Sequence, residues 1–447
     1  MVKADKEELF EKTPVPVAVS KLAIPTIAAS MVMVLYNLAD TFFVGLLNDP
    51  LSTSAVTLAA PVLLAFNAVT NLFGTGCSSM MSRALGIKDY ETVKKTSVFG
   101  IYSGIICGLL FSLVATFFKN GLLNILGADA SNSVFTSNYL FWTVTCGAIP
   151  AILNVILGNV FRAEGNTLHA SIGVMSGCIL NIILDPIFIM PWGLNMGAAG
   201  AGCATFISNC FACLYLFIIM IIKRKTTLVS IDPRLYIPTK EITSNVFGIG
   251  IPASIQNILN VTGTTILNNI AASYGNEAVS AIGIAHKLSL VPLYFSMGGG
   301  QGVMPLIGYN FASGNKKRMN EVVDFAKKLV VISMGIAAIL FFIFSGQLIS
   351  LFMKNELIVE YGSGFLKGFA LAIPFLSFDF LAVAVFQACG KGKLSLVFAI
   401  ARKILLEIPA IIILNKIFGM YGIAYGQLVA EFILSICAYF VLKKIEN

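Results

Sequence analysis

The chain has 447 residues, of which 57% are apolar and only 12% are charged, and its formal net charge is +8. Soluble domains contain about 25% charged residues, so this composition excludes an ordinary soluble protein and a disordered one. Its apolar runs are continuous and do not alternate, which excludes a transmembrane β-barrel. Roughly 255 residues are apolar, and a bilayer helix needs about 20. The composition therefore predicts about twelve membrane-spanning helices.

Twelve apolar runs end where charged residues, Pro, Gly or Asn cluster. No signal peptide precedes the first run. We predict helices at residues 17–46, 53–81, 92–118, 134–157, 168–190, 196–222, 243–273, 278–308, 322–353, 358–389, 394–415 and 420–442. Prolines lie within or near many of these runs, and each removes a backbone donor and permits a bend.

The Lys and Arg residues fall mainly at one end of the predicted helices. Counted loop by loop, 23 of the 30 lie on the side that carries both chain termini. By the positive-inside rule this side is cytoplasmic. We therefore predict a multi-pass protein of the cell (inner) membrane with both termini in the cytoplasm, and no binding of nucleic acid.

The second half of the chain repeats the first half. Pro25 in LAIP recurs as Pro252 in GIGIP, and VFRAEGNTLHASI (160–172) matches VFQACGKGKLSLV (385–397), at offsets of about 224 to 228 residues. Six helices per copy is an even number, so both copies enter the membrane in the same orientation. Transporters with such repeats commonly bind substrate between the copies, near the middle of the membrane.

The repeat predicts an all-α polytopic fold with twelve transmembrane helices in two parallel-repeat lobes of six helices. The first lobe is predicted at residues 1–222 and the second at 243–447, joined by a cytoplasmic linker at 223–242. The sequence has no HExxH, GxSxG or P-loop motif. We therefore predict that the protein is not an enzyme, needs no cofactor and draws energy from an ion gradient.

Two acids lie within the predicted membrane spans of the first lobe, namely Asp40 in the first span and Asp185 in the fifth. Burial in hydrocarbon and a neighbouring carboxylate both favour the neutral form of a carboxyl group, so such a group can exchange a proton. Asn181 precedes Asp185 by one turn and shares its helix face. A structural alternative for Asp185 is a capped helix break before Pro186.

Several segments resemble the multidrug and toxic compound extrusion (MATE) transporters, and most of all their prokaryotic multidrug branch. These segments are LYNLADTFFVG (35–45), FRAEGNT (161–167), NIILDPIFI (181–189), GAAGAGCATFIS (197–208), GQGVMPLIGYNFASGNKKR (300–318) and FQACGKGK (386–393). The resemblance covers about residues 15–445. It implies a V-shaped, two-lobe antiporter that exports cationic amphiphilic compounds in exchange for H⁺ or Na⁺.

The resemblance also implies that acids of the first and fifth helices bind the coupling ion. The predicted cation-coupling residues are Asp40, Asn181, Asp185, Thr205 and Tyr139. If the ion is Na⁺, its predicted ligands are Asp40, Asn181, Asp185 and Thr205, and no other metal is predicted. Hydrogen bonding between helices is the alternative for Asn181 and Thr205.

The second lobe lacks this acid pair, since Leu267 and Ala410 occupy the equivalent positions and Asn260 replaces an acid that some family members carry. Ion coupling is therefore predicted in the first lobe. Residues predicted to line the substrate cavity are Tyr36, Asn37, Asn154, Gln256, Asn257, Asn260, Met297, Gln301 and Asp379. For each of them helix packing is the alternative.

Other charges lie in the predicted spans of the second lobe. An ion pair of Asp379 with Lys287 or Lys367 is the alternative to a cavity role for this acid. Lys403 and Glu407 are four residues apart, which predicts an ion pair along one helix, and the neighbouring Arg402 is expected to face the cytoplasmic end of its helix.

A different function, that of a lipid-linked oligosaccharide flippase of a related superfamily, would need a cationic cleft for pyrophosphate. The intramembrane acids instead suit cationic, amphiphilic small molecules in a lipid bilayer. A monomer is predicted, because each chain holds both lobes.

Overall fold

A computed structural model describes residues 7–47 and 49–446. Every regular element in these ranges is helical, which confirms the predicted all-α class. The long helices are α1 (Val15–Leu46), α2 (Pro50–Gly86), α3 (Tyr90–Phe117), α4 (Ser133–Leu140), α5 (Ala148–Ala163), α6 (Thr167–Ile189), α7 (Ala198–Ile222), α8 (Lys240–Ala272), α9 (Asn276–Ala312), α10 (Lys316–Ile343), α11 (Glu356–Ala388), α12 (Gly392–Ile400), α13 (Ile408–Phe418) and α14 (Gly422–Glu446). Shorter helical segments lie at Glu8–Lys12, Lys119–Ile125, Phe141–Cys146, Pro233–Leu235, Ser345–Ser350, Ala401–Glu407 and Gly419–Tyr421.

Each of the twelve predicted runs is helical in the structure, and in the predicted order. Within the described residues, eight helices are long and apolar enough to cross a membrane. A ninth span is added if Ser133–Cys146 and Ala148–Ala163, which meet at an angle of 49°, count as one bent helix. The predicted run at 322–353 is too long, because α10 ends at Ile343 and a separate short helix follows.

Two predicted runs contain a π-helical stretch, and a proline follows each stretch closely. Pro150 follows Phe141–Cys146, and Pro409 follows Ala401–Glu407. A proline has no N–H to donate, so the carbonyl four residues before it lacks its α-helical partner. A wider π turn changes the hydrogen-bonding register at such places. By contrast, α1 and α8 run on through Pro25 and Pro252.

Contacts divide the chain into two compact units that do not end where the predicted lobes end. The first unit comprises Met1–Lys12, described from residue 7, and Ala28–Ser254. The second unit comprises Thr13–Ile27 and Ile255–Asn447, described to residue 446. Helices α1 and α8 are therefore each divided between the two units. The lobes at 1–222 and 243–447 and the linker at 223–242 stay a prediction.

Within the first unit, the first half of α8 packs closely against α2. A Cβ atom on Gly250 would lie 2.0 Å from the backbone oxygen of Leu72, whereas a Cβ atom on Gly248 would meet nothing within 4 Å. The hydroxyl of Ser254 donates to the backbone oxygen of Ala68 at 2.6 Å across the same contact. The missing side chain of Gly250 is what permits this approach.

The Gly250→Ala substitution should therefore destabilise the protein by about 1–3 kcal/mol, because the added methyl group must push the α2 backbone away. Gly248→Ala is the matched control, two residues away on the same helix, and it should be neutral or slightly stabilising. Thermal unfolding of both variants in detergent checks this. Equal melting temperatures would contradict the packing described for α8.

Candidate functional site

Asp185 and Asn181 lie on the inward face of α6 in the first unit. The side chain of Asp185 is fully buried and that of Asn181 is 2% exposed. Both polar atoms of the Asn181 amide find partners if its nitrogen faces Asp185 and donates to Oδ2 of that residue at 2.8 Å. The amide oxygen then accepts from the backbone N–H of Thr205 on α7 at 3.0 Å. The orientation of the amide is assigned from these partners. The spacing of one turn on α6 thus supplies a donor to a buried carboxylate.

Three further side chains complete a polar cluster around this carboxylate. Tyr36 on α1 pairs with the side chain of Thr205, and it lies close enough to Asp40, Tyr139 and Asp185 to interact with them electrostatically. Asp40 also acts on Asp185 and on Tyr139. Tyr139 on α4 is 6% exposed, whereas Asp40 is half-buried. Helices α1, α4, α6 and α7 therefore converge on one site.

The structure thus brings together all five predicted coupling residues and adds Tyr36, which sequence analysis had assigned to the substrate cavity. Their functional role is still a prediction. We call this set the acid cluster, and its members are Tyr36, Asp40, Tyr139, Asn181, Asp185 and Thr205.

The acid cluster presents carboxylate, amide and hydroxyl oxygens around two like charges. Two neighbouring carboxylates do not both ionise readily, and a proton or a cation relieves their repulsion. Hard cations prefer oxygen ligands of these kinds. The residues present therefore fit H⁺ and also fit Na⁺ held by Asp40, Asn181, Asp185 and Thr205.

The remaining residues predicted for the substrate cavity fall into both units. Asn37 on α1 is exposed and donates to the backbone oxygen of Met33 at 2.9 Å. Asn154 on α5 is buried and donates to Oδ1 of Asn209 at 3.3 Å. In the second unit Gln256 is buried and Asn257, Asn260, Met297 and Gln301 are partly buried. Their part in a substrate cavity stays a prediction.

Asp379 is fully buried in the second unit, and its charged neighbours differ from the partners that sequence analysis proposed. Glu431 on α14 and Arg402 interact with it electrostatically, and Nε of Arg402 lies 3.3 Å from Oε2 of Glu431. The guanidinium of Arg402 also lies 4.6 Å from the centre of the Phe380 ring. The expected partner Lys367 instead lies over the ring of Phe342. We call Asp379, Arg402 and Glu431 the buried triad.

The triad corrects one expectation and supplies one residue that sequence analysis missed. Arg402 is 2% exposed, so it does not lie at a solvated helix end. Arg402 lies within the π-helical stretch Ala401–Glu407, where its side chain is buried. Glu431 interrupts the apolar run LVAEFIL and was a visible signal of a buried charge. The predicted ion pair of Lys403 with Glu407 is confirmed, with Nζ 2.7 Å from Oε1.

Replacing Asn181 by Leu should impair the export that the resemblance implies, because Asp185 then loses its amide donor while it stays buried. An unsatisfied buried polar group costs about 1–3 kcal/mol, which corresponds to roughly a 5- to 150-fold loss of export rate. Export by purified, reconstituted protein is the measurement, with unchanged helical circular dichroism as the control for folding. Export by this variant at the wild-type rate would show that Asp185 does not need the Asn181 amide.

Comparison with known proteins places this chain in a family. The MatE family model matches residues 25–187 and again 252–413. These two matches independently show the internal repeat, at an offset close to that read from the sequence. The chain belongs to the MatE family, and the resemblance found by sequence analysis is confirmed.

Named relatives cover nearly the whole chain. The multidrug export protein MepA of Staphylococcus aureus is 36% identical over 442 residues, which span 98% of this chain and 96% of MepA. MepA of Staphylococcus saprophyticus is 33% identical over 439 residues, with the same coverage of both chains. A solved multidrug resistance MATE family transporter of the MOP superfamily has a TM-score of 0.92 at 24% identity, covering 98% of this chain and 97% of its own. That likeness shows the fold alone.

Proposed function

We propose that this protein is a multidrug exporter that expels cationic amphiphilic compounds in exchange for H⁺ or Na⁺. The observation that carries the proposal is the acid cluster, in which the buried Asp185 receives a hydrogen bond from Asn181 beside Asp40. MatE membership and the names of the relatives support export of small molecules across a membrane. They favour it over the flippase alternative, and we propose transport without enzymatic chemistry on the same likeness.

In the proposed mechanism the acid cluster binds the coupling cation in one conformation and releases it in the other. A cation bound at Asp40 and Asp185 reduces the negative charge of the cluster, and its release restores the charge that attracts a cationic drug. An ion can drive export only if ion and drug prefer different conformations. We propose that the chain works as a monomer in the cell membrane, with both termini in the cytoplasm.

The test is drug efflux from proteoliposomes on which a proton gradient and a sodium gradient are imposed separately. We expect that at least one of the two gradients drives export against a drug gradient and that dissipating it stops export. Export that is unaffected by either gradient would overturn the proposal. The gradient that succeeds identifies the coupling ion.

A further inference from the structure

Part of the segment that joins α7 to α8 lies fixed along the surface of the first unit. We call residues 227–231 the strap. The backbone N–H of Leu228 donates to Oε2 of Glu164 at 2.8 Å, and that of Ser230 donates to Oγ of Ser97 at 3.1 Å. The hydroxyl of Tyr102 donates to the backbone oxygen of Ile231 at 3.0 Å. Side chains of the first unit thus hold the strap at three points along its length.

Glu164, the residue that caps the C-terminus of α5, makes the central contacts to the strap. Its side chain is 2% exposed. One carboxylate oxygen accepts from the hydroxyl of Thr227 at 2.7 Å and from the amide of Asn166, and the other accepts from Leu228. The Thr227 hydroxyl oxygen in turn accepts from the N–H of Val229 at 3.1 Å. Hydrogen bonds to an ionised acceptor are roughly twice as strong as neutral ones, so this carboxylate anchors the strap.

Apolar and aromatic contacts reinforce the anchor. Leu228 is 7% exposed and Val229 is 6% exposed. Further along the chain, the ring of Tyr236 stacks on Phe99 with a centroid distance of 6.2 Å and an interplanar angle of 14°. The same ring lies 5.7 Å from that of Tyr102. Hydrogen bonds and apolar packing therefore both hold the joining segment against the first unit.

The chain consequently stays in the first unit well beyond the strap. That unit extends to Ser254, and it includes the first half of α8 packed against α2. The passage into the second unit occurs inside α8, between Ser254 and Ile255, two residues after Pro252. A proline in a helix removes one backbone hydrogen bond and is a place where a helix can bend.

We propose that Glu164 is a positioning residue that keeps the strap on the first unit throughout the transport cycle, so that the repeats hinge within α8 near Pro252 and not in the joining segment. The inference rests on the proposed export function for its role in transport. It differs from the sequence-based picture of residues 223–242 as a linker between two lobes.

The first test locks the strap in place. Ser97 and Ser230 touch directly, and the Cα atoms of a disulfide are usually about 4.4–6.8 Å apart, so Ser97→Cys with Ser230→Cys should form a disulfide that mass spectrometry detects. We expect the oxidised protein to export drug as fast as the reduced protein. If oxidation stops export and a reductant restores it, or if the disulfide does not form, the proposal is wrong.

The second test releases the strap. In Glu164→Gln one of the two carboxylate oxygens becomes an NH₂ group, which cannot accept a hydrogen bond, so the bond donated by either Thr227 or Leu228 is lost. We expect trypsin to cleave after Arg234 at least about tenfold faster than in wild type, because the strap opens more often. Glu241→Gln, which removes an exposed glutamate at the start of α8, is the matched control and should leave cleavage unchanged.

The two tests combine into a rescue. The engineered disulfide between positions 97 and 230 should restore slow cleavage to Glu164→Gln, which a general loss of folding would not allow. Equal cleavage of Glu164→Gln and wild type would overturn the role of Glu164. Cleavage and cross-linking do not need transport, so they test the strap even if the exporter proposal fails.

Discussion

Replacing Asp40 by Asn should lower ion-driven drug export by roughly 5- to 150-fold, the range for loss of a coupling free energy of about 1–3 kcal/mol. Asn cannot take up and release a proton, and it offers no negative charge to a sodium ion. The Asp185 carboxylate would then lose the neighbour whose charge acts on it. Efflux from proteoliposomes under the effective gradient is the measurement.

Asp324→Asn is the matched control for this substitution. Asp324 lies on the surface of α10, is 59% exposed and pairs with Lys327 at 3.3 Å. Surface pairs of this kind contribute about 0–1 kcal/mol, so export should be retained. If Asp40→Asn exports as fast as Asp324→Asn, the acid cluster does not couple the ion to the drug.

Replacing Arg402 by Leu should destabilise the second unit by about 3–5 kcal/mol, the usual cost of removing one partner from a buried ion pair. The buried triad holds two acids and one guanidinium, and its three side chains are almost completely buried. Without Arg402, the Glu431 carboxylate would lose its buried counter-charge. Thermal unfolding in detergent and the yield of folded protein are the measurements.

A double substitution separates lost charge balance from lost packing. Arg402→Leu with Glu431→Leu removes both members of the pair, and replacing a buried pair by apolar side chains is often neutral. We expect it to recover most of the stability that Arg402→Leu loses. Arg224→Leu, in the exposed turn after α7, is the control for the loss of one arginine. A double variant less stable than Arg402→Leu would show that the pair does not act as described.

Apolar periodicity and length predicted the positions of all twelve helical runs, because continuous hydrophobicity reports burial in lipid directly. They did not predict the interruptions at Phe141–Cys146 and Ala401–Glu407, since composition does not report hydrogen-bonding register. They also missed the division of α1 and α8 between two units. The sequence is equally apolar on both sides of Pro25 and Pro252, and only long-range packing separates the halves.

In the acid cluster too, a contact along one helix was predicted and a contact between distant helices was not. The contact of Asn181 with Asp185 follows from a spacing of one turn and was predicted. The approach of Tyr36 to Thr205 joins α1 to α7 over a long stretch of chain, and no local pattern indicates it. The contacts of Glu431 with Arg402 and Asp379 also join different helices, so spacing along one helix does not indicate them.

The most direct measurement of the central claim is the number of ions that purified protein releases when it binds a cationic drug in detergent, read with a pH-sensitive or sodium-sensitive dye. If Asp40 and Asp185 bind the exchanged ion, wild-type protein should release ions on drug binding, and the Asp40→Asn/Asp185→Asn double variant should release none. Equal release by the double variant and the wild type would place the exchanged ion elsewhere and contradict this mechanism.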